Sequence, residues 1–525
     1  MRVRRFDDVE FSNALGREPE KPDDKYPDKW RPLPKDLLSE HSQAAYLFTY
    51  LSKLGAKTIV VEETYVDGSF LADYTYFYAT VFAHFDRFCK RVHFFNHSFD
   101  DAEFIRHVLR VETEADAGAF ASTYLGFVVV RPLPQAIIGR TALKTLPRVD
   151  GESDPHYCVV VDTGATLCGL KLTVEASLPF QQQDSAVAAC ATVALWSAFF
   201  RTAEMFGTAT PRPATITQAA TAGTVQERAL PSHGLTVEQI CEAIRANGLD
   251  PEVLNLDQKQ APLLTWLRGY LELGIPAILA LKFANGAHDG EHHAVTAVGY
   301  RLGDVLTVKE LGPDYYEPPS VASRITHLIC HDDNVGPFAD FGVCCDDDGG
   351  NVRLTSKDHG TEQQPALLDI ESVVLPVYQK MRLGFPAVQA FVMLLDRALA
   401  LIMKTEPEVS REWDITLTTT NQFKQNLGAD VVDPDQRLQI LTRAQPRFMW
   451  QVVLRTQSGE AFRILADATA FHRSIPLRQA IIRDRGLVEK TIEILGDVLD
   501  DDDNAAPLRS FFIEELKGLP GVGAA

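Results

Sequence analysis

The sequence predicts an α+β fold in which a helical half precedes an antiparallel sheet in the middle of the chain, flanked by N- and C-terminal α/β domains. Three observations predict it. The 525-residue length exceeds what one hydrophobic core usually organises, so several domains are expected. Between residues 176 and 345, helical patterns come first and strand patterns second, the order of an α+β domain. On both sides of that region helical and strand-like stretches are mixed. The expected division is an extended arm over 1–35, an N-terminal α/β domain over 36–175, the central α+β domain over 176–345, and a C-terminal α+β domain over 346–525.

The arm is rich in Pro, Asp and Lys up to about Pro34, which disfavours a packed core there. Next come a helix near Ser39 to Leu54, the strand KTIVVEE, an aromatic-rich helix from about Phe70 to Cys89, and the apolar strand YLGFVVVRPLP, closed by Pro132 and Pro134. The β-rich runs YCVVVD and LKLTVEASLPF lead into QQQDSAVAACATVALWSAFF, a long apolar helix. Thr236 and Gln239 form a T-x-x-Q capping box, with Leu235 and Ile240 spaced to staple it, and Gly248 ends that helix. A further helix, APLLTWLRGYLEL, stops at Gly274 and is followed by Pro276 and the strand PAILAL. HHAVTAVGY, DVLTVKEL and ITHLICHDD read as successive strands, followed by the polar CCDDDGGN. The C-terminal region pairs the helical ALLDIESVVLPVYQKM and AVQAFVMLLDRALALIM with the strands WDITLTTT and FMWQVVLRTQSGEAFRIL. Its Gln-Ser-Gly suits a hairpin turn, and the acidic DVLDDDDN suits a solvated loop.

A formal net charge of −20 argues against general nucleic-acid or anionic-membrane binding and favours a peptide, protein or small molecule as partner. Eight cysteines without CxxC pairs, and an N-terminus lacking the apolar core of a secretion signal, point to a reducing, cytoplasmic setting. No run approaches eighteen apolar residues without charge; GIPAILALKF is too short to span a bilayer.

The middle region carries residues suited to nucleophilic catalysis. A thiol nucleophile needs a base in hydrogen-bond reach, a group to orient that base, and a donor for the developing oxyanion. Cys190 lies in the early turns of an apolar helix, whose N-terminal partial charge favours a thiolate near the tip. A start at Asp184 or Ser185 puts Cys190 about one and a half turns in, and a start near Ala188 puts it at the tip. Gln183 is close enough in sequence to share an oxyanion site with the Cys190 N–H. His293 opens a strand about a hundred residues on, and His331, Asp332 and Asp333 end another, which supplies a carboxylate to orient the imidazole.

The series Gln183 to Cys190, GLTVEQICEAIRANGL, LGIPAILAL and HHAVTAVGY resembles the bacteriocin-processing, double-glycine branch of papain-like cysteine peptidases, over roughly residues 175–340. The resemblance implies a papain-like core and hydrolysis of a peptide or protein substrate through an acyl-enzyme. Cys190, His293, Asp332 and Gln183 would be the site residues, and no cofactor is called for. It alone points to a bacterial origin. The chain departs from the pattern in three places: Gln183 lies seven positions before Cys190 instead of six, Ala191 replaces a glycine, and the His293 to Asp332 gap is longer, through the segment KELGPDYYEPPS. Two alternatives remain open on these residues, a catalytically silent papain-like scaffold and a thiol acyltransferase.

Other readings compete for the same positions. His288, Asp289, Glu291, His292 and His293 crowd into six positions that match no recognised metal-ligand spacing. Neighbours on a strand face opposite ways, so His292 competes with His293 as base, and Asp333 with Asp332 as its partner; the resemblance favours His293. The aspartates also suit an Asx turn into Asn334-Val335-Gly336-Pro337. The aromatic cluster YTYFYATVFAHF reads as core packing, Arg131 and Arg140 as salt-bridge formers, the adjacent Cys344 and Cys345 as functionless, and Asp467 as a turn residue.

Overall fold

The computed structural model describes residues 2–16, 37–109, 114–133, 135–147, 154–184, 186–223, 230, 232, 234–255, 262–303, 318–345, 352–361, 363–405, 411–427, 434–470, 475–497 and 505–517. Within these residues the fold mixes helix and sheet, as an α+β protein does. The chain divides into two compact units. The first comprises Met1–Lys259, Pro276–Arg301 and Thr326–Pro376, and the second Gln260–Ile275, Leu302–Ile325 and Val377–Ala525.

The first unit begins with an antiparallel sheet of β1 (Arg2–Arg5), β2 (Thr58–Tyr65), β3 (Cys89–Phe95), β4 (Tyr124–Val130) and β5 (Ile138–Leu143), paired in that order. Every residue of β4 is buried, as its unbroken apolar run requires. Gly126 within it has φ +133°, and a Cβ there would collide with the Ala142 carbonyl, so the strand needs glycine at that point. The proposed arm is ordered at its start. Arg2–Arg5 pairs with β2, and the helix Asp8–Leu15, capped by Asp7, buries Phe11 and Leu15. Residues 17–36 lie outside the described residues. The aromatic helix expected to reach Cys89 ends at Tyr76, followed by one 3₁₀ turn at Tyr78–Thr80. Of the aromatics expected to pack the core, Phe70 and Tyr78 do so, whereas Tyr76 and Phe82 are exposed.

After β6 (His156–Tyr157) and the hairpin β7 (Val161–Leu167)–β8 (Leu170–Ser177) comes the helix Cys190–Phe206. Leu195, Ala198 and Phe199 are wholly buried in it, and Gly207 ends it in a left-handed conformation. The capping box of Val237–Ala246 forms as the sequence predicts, with both Thr236–Gln239 hydrogen bonds present. Beyond β9 (Asp250–Asn255), the expected antiparallel sheet closes on itself. Strands β10 (Ala277–Phe283), β11 (His292–Leu302), β12 (Ile325–Asp332), β13 (Gly336–Cys345), β14 (Val352–Ser356) and β15 (Ala366–Val377) follow in order, and β15 pairs back onto β10 as a six-stranded barrel.

Three expectations change here. No boundary falls at 345, because β14 and β15 complete the barrel begun by β10 to β13, and none falls at 175, because β6 pairs with β11. ALLDIESVVLPV is a strand, not a helix. Ala366, Leu368, Ile370 and Ser372 alternate inward with Leu367, Asp369 and Glu371, a period of two that its apolar content masks. DVLTVKEL, KELGPDYYEPPS up to Glu317, the acidic part of CCDDDGGN, and DVLDDDDN beyond Asp497 lie outside the described residues.

The second unit contains an antiparallel sheet of β16 (Glu412–Thr419), β17 (Phe448–Thr456), β18 (Gly459–Asp467) and β19 (Leu477–Ile482). Gln457-Ser458 turns β17 into β18, and Gly459 supplies the positive φ. The helix Leu263–Leu271 belongs here and not to the central domain; its Gly269 sits against the Trp450 ring. One described helix, Phe385–Thr405, contains a window, Phe385–Ile402, long and apolar enough to cross a membrane although it carries Asp396 and Arg397; 56% of that window is buried within the fold, as in a core helix. Its buried Asp396 accepts from Arg411 at 2.6 and 3.0 Å and from the Trp413 indole at 2.7 Å.

Candidate active site

The segment before Cys190 is built to hold still. Phe180 exchanges backbone hydrogen bonds with Thr141, the Gln182 N–H donates to the Ile138 carbonyl, and Arg131 donates to the Gln182 carbonyl at 2.8 Å. The chain then folds around one carboxylate. Asp184 Oδ1 accepts from the backbone N–H groups of Ala186, Val187 and Ala188 at 2.8, 2.6 and 3.2 Å. That loop delays the helix, which starts at Cys190 itself with Ala189 as N-cap and no side chain capping it. The thiol therefore stands at the tip, beside the first-turn N–H groups and the positive end of the helix dipole. Arg140 pairs with Asp67 and Tyr65 as a salt-bridge former, whereas Arg131, expected to form a surface salt bridge, is buried, donating to the Ala136 and Gln182 carbonyls and lying 3.9 Å from Asp184.

Strand β11 brings the candidate base. Thr296, three residues after His293, donates to the Ala194 carbonyl at 2.8 Å and so fixes the strand to the first turns of the Cys190 helix. His293 is buried, 5% exposed, whereas His292 points outward to Glu371 at 3.3 Å, which decides between the two histidines. The Cys190 side chain is among the groups that raise the His293 pKa, and the His293 Nε2–H donates to Asp332 Oδ1 at 2.9 Å. With Nε2 committed to the carboxylate, Nδ1 is the ring nitrogen left for sulfur.

Asp332 and Asp333 separate as clearly. Asp332 is wholly buried and also accepts from the Asn334 N–H at 2.9 Å, the Asx turn expected there, so the turn and the partnership with His293 coexist. Asp333 Oδ1 lies 3.7 Å from His293 Nε2, and its Oδ2 has no hydrogen-bond partner among the described residues. Gln183 reaches the same turn, its amide donating to Asn334 Oδ1 at 2.7 Å. His331, next along the strand, is a structural residue: it bonds the Leu178 carbonyl and accepts from the Phe338 N–H.

The electrostatics follow from burial and pairing. Burial alone would lower the His293 pKa, but the charge and hydrogen bond of Asp332, aided by Cys190 and Asp333, hold it well above the ordinary imidazole value. Burial would raise Asp332, yet His293 and hydrogen bonds from two histidines hold it far below the usual carboxylate range. Asp333 goes the other way, raised by burial and by the neighbouring Asp332 charge against the pull of His293. His331 is pushed down to about 4 by burial.

The second histidine on Asp332 is His359, from the connection between β14 and β15; its Nε2 lies 2.6 Å from Asp332 Oδ2. The sequence carries no signal for it. DHG reads as a turn, and only barrel closure brings residue 359 beside residue 332. Ligand atoms of His293, Asp332 and His359 lie within 4.8 Å of one another, close enough to ask whether they hold a metal. The 2.9 and 2.6 Å contacts are hydrogen-bond lengths, shorter than the roughly 3.3 Å between ligand atoms each about 2.0–2.1 Å from a tetrahedral ion. The cluster is thus arranged as two imidazoles donating to one carboxylate. The crowded run at 288–293 is not one site either, since His288 pairs with Glu291 at the surface while His292 and His293 diverge. No protein-family model and no curated protein matches the chain.

Proposed function

We propose that the chain is a cysteine-type peptidase with a papain-like core, acting on a peptide or protein substrate through an acyl-enzyme. One observation carries this reading: a thiol at a helix tip, an imidazole on the strand that is hydrogen-bonded to that helix through Thr296 and Ala194, and a buried carboxylate holding the imidazole Nε2 come together. His293 takes the Cys190 proton, and the thiolate adds to the scissile carbonyl. The developing oxyanion is received by the Cys190 N–H, with the Gln183 amide turning from Asn334 to join it. Collapse of the tetrahedral intermediate breaks the C–N bond as His293 returns the proton to the leaving amine. Water, deprotonated by His293, then attacks the thioester and releases the acid and the thiol. Asp332 keeps Nε2 protonated and steadies the imidazolium without itself taking the proton. An amine in place of water would give acyl transfer from the same intermediate.

The test is site-resolved alkylation by iodoacetamide from pH 5 to 9, read by mass spectrometry. Cys190 should react faster than the other cysteines and keep reacting below neutral pH, and His293→Ala should abolish that advantage. A Cys190 no faster than the others in wild-type protein would leave the silent scaffold as the surviving reading.

A further inference from the structure

We propose that His359 is a positioning residue of the same site, the outer imidazole of a His293–Asp332–His359 relay that holds the shared carboxylate in register for the base. The proposal rests on the peptidase reading above and deepens it. Its geometry is specific. The carboxylate offers Oδ1 to His293 at 2.9 Å and Oδ2 to His359 at 2.6 Å, so each oxygen has its own imidazole and neither can rotate without breaking a buried hydrogen bond. His359 itself is held on several sides. Its ring packs edge-on against Phe283 of β10 at 5.3 Å and His293 of β11 at 5.6 Å, and tilted against Phe341 of β13 at 6.3 Å. The His359 N–H of the backbone donates to Ser356 Oγ, which fixes the loop as it leaves β14.

A carboxylate with one imidazole can orient a base; the second controls when that carboxylate can accept a proton. The groups that face His359 are Asp332 and Asp333 at the end of β12, His293 of β11, and Asp358 on its own loop, three carboxyls and one imidazole. A donor among these acids keeps Asp332 ionised into acid, and with it the His293 imidazolium that partners the thiolate. The hydrogen bond from His359 is one of the influences that keep Asp332 low. Removing it moves the acidic limit of the site upward in pH and slows the chemistry while leaving substrate contacts in place.

The experiment is the Cys190 alkylation profile in wild type, His359→Phe, which keeps the ring packing but has no donor, and His359→Gln, which keeps an N–H donor. In His359→Phe the acidic limb should rise by about one pH unit and the rate at pH 7 should fall about ten-fold, the scale of one lost charge-assisted hydrogen bond. His359→Gln should recover most of both. A folded His359→Phe with the wild-type limb and rate overturns this inference alone, whereas a wild-type Cys190 no faster than the other cysteines overturns the peptidase reading with it. If His359→Phe does not fold, ¹⁵N-histidine NMR of the wild type decides. A protonated, slowly exchanging His359 Nε2–H supports the relay, and an unprotonated Nε2 overturns it.

Discussion

Asp332 and Asp396 are both wholly buried carboxylates with two side-chain partners each, one in each unit, and they are built for different ends. Asp396 is held by a guanidinium in a two-pronged grip and by an indole N–H. Guanidinium groups do not give up their proton in proteins, so Arg411 has no proton to exchange and the arrangement serves the core. Asp332 is held by two imidazoles, and the pKa of one of them, His293, is raised in part by the Cys190 side chain. The lesson is that a buried ion pair becomes a candidate for chemistry when its cationic partner can titrate and faces a nucleophile.

The largest expected effect separates the two at the level of reactivity. His293→Ala should reduce turnover of a cleavable peptide by about 10²- to 10⁴-fold, the usual contribution of a positioned acid–base group, with the protein still folded. Asp396→Ala should leave Cys190 alkylation per folded molecule unchanged but cost about 3 kcal/mol in urea unfolding, since it strands the partly buried Arg411 guanidinium and the buried Trp413 indole N–H. Equal loss of alkylation in both variants would erase the distinction.

A pH series sharpens it. Because the folded pKa of His293 is raised, its stabilisation is complete below the unfolded value of about 6.5 and is lost as pH rises through the folded value above it. The lowered pKa of Asp332 gives the opposite sign: stabilisation is present above about 3.9 and is lost as pH falls through its folded value. The destabilisation caused by His293→Gln should therefore be greatest between about pH 4 and 6.5 and shrink on the alkaline side. A pH-independent difference across pH 5 to 9 would contradict this. The smallest expected effect is local: Thr236→Ala should cost about 1 kcal/mol through the lost helix cap, with alkylation of Cys190 unaffected.

Where the signal is local, the sequence was legible. The Thr236–Gln239 capping box, the Gln457-Ser458 turn, the apolar helix carrying Cys190 and the strand carrying His293 each depend on residues within a few positions of one another. The candidate nucleophile, base and carboxylate were therefore nameable, with open choices between His292 and His293 and between Asp332 and Asp333. Strand direction alone could not decide those choices, because alternation says that neighbours diverge and not which one faces inward.

Only the tertiary structure decided the rest. Residues 366–377 hold both an apolar run and a two-residue alternation, and pairing with β14 and β10 selects the strand. The helix start at Cys190 depends on Asp184 gathering three N–H groups, a loop closure that no periodicity announces. His359 is the clearest case. Its partner is 27 residues away across two barrel strands, and a lone histidine in a turn carries no pattern. The sequence determined the elements and the chemical groups they carry; long-range pairing decided which groups meet, because contacts between distant residues exist only after the barrel has closed.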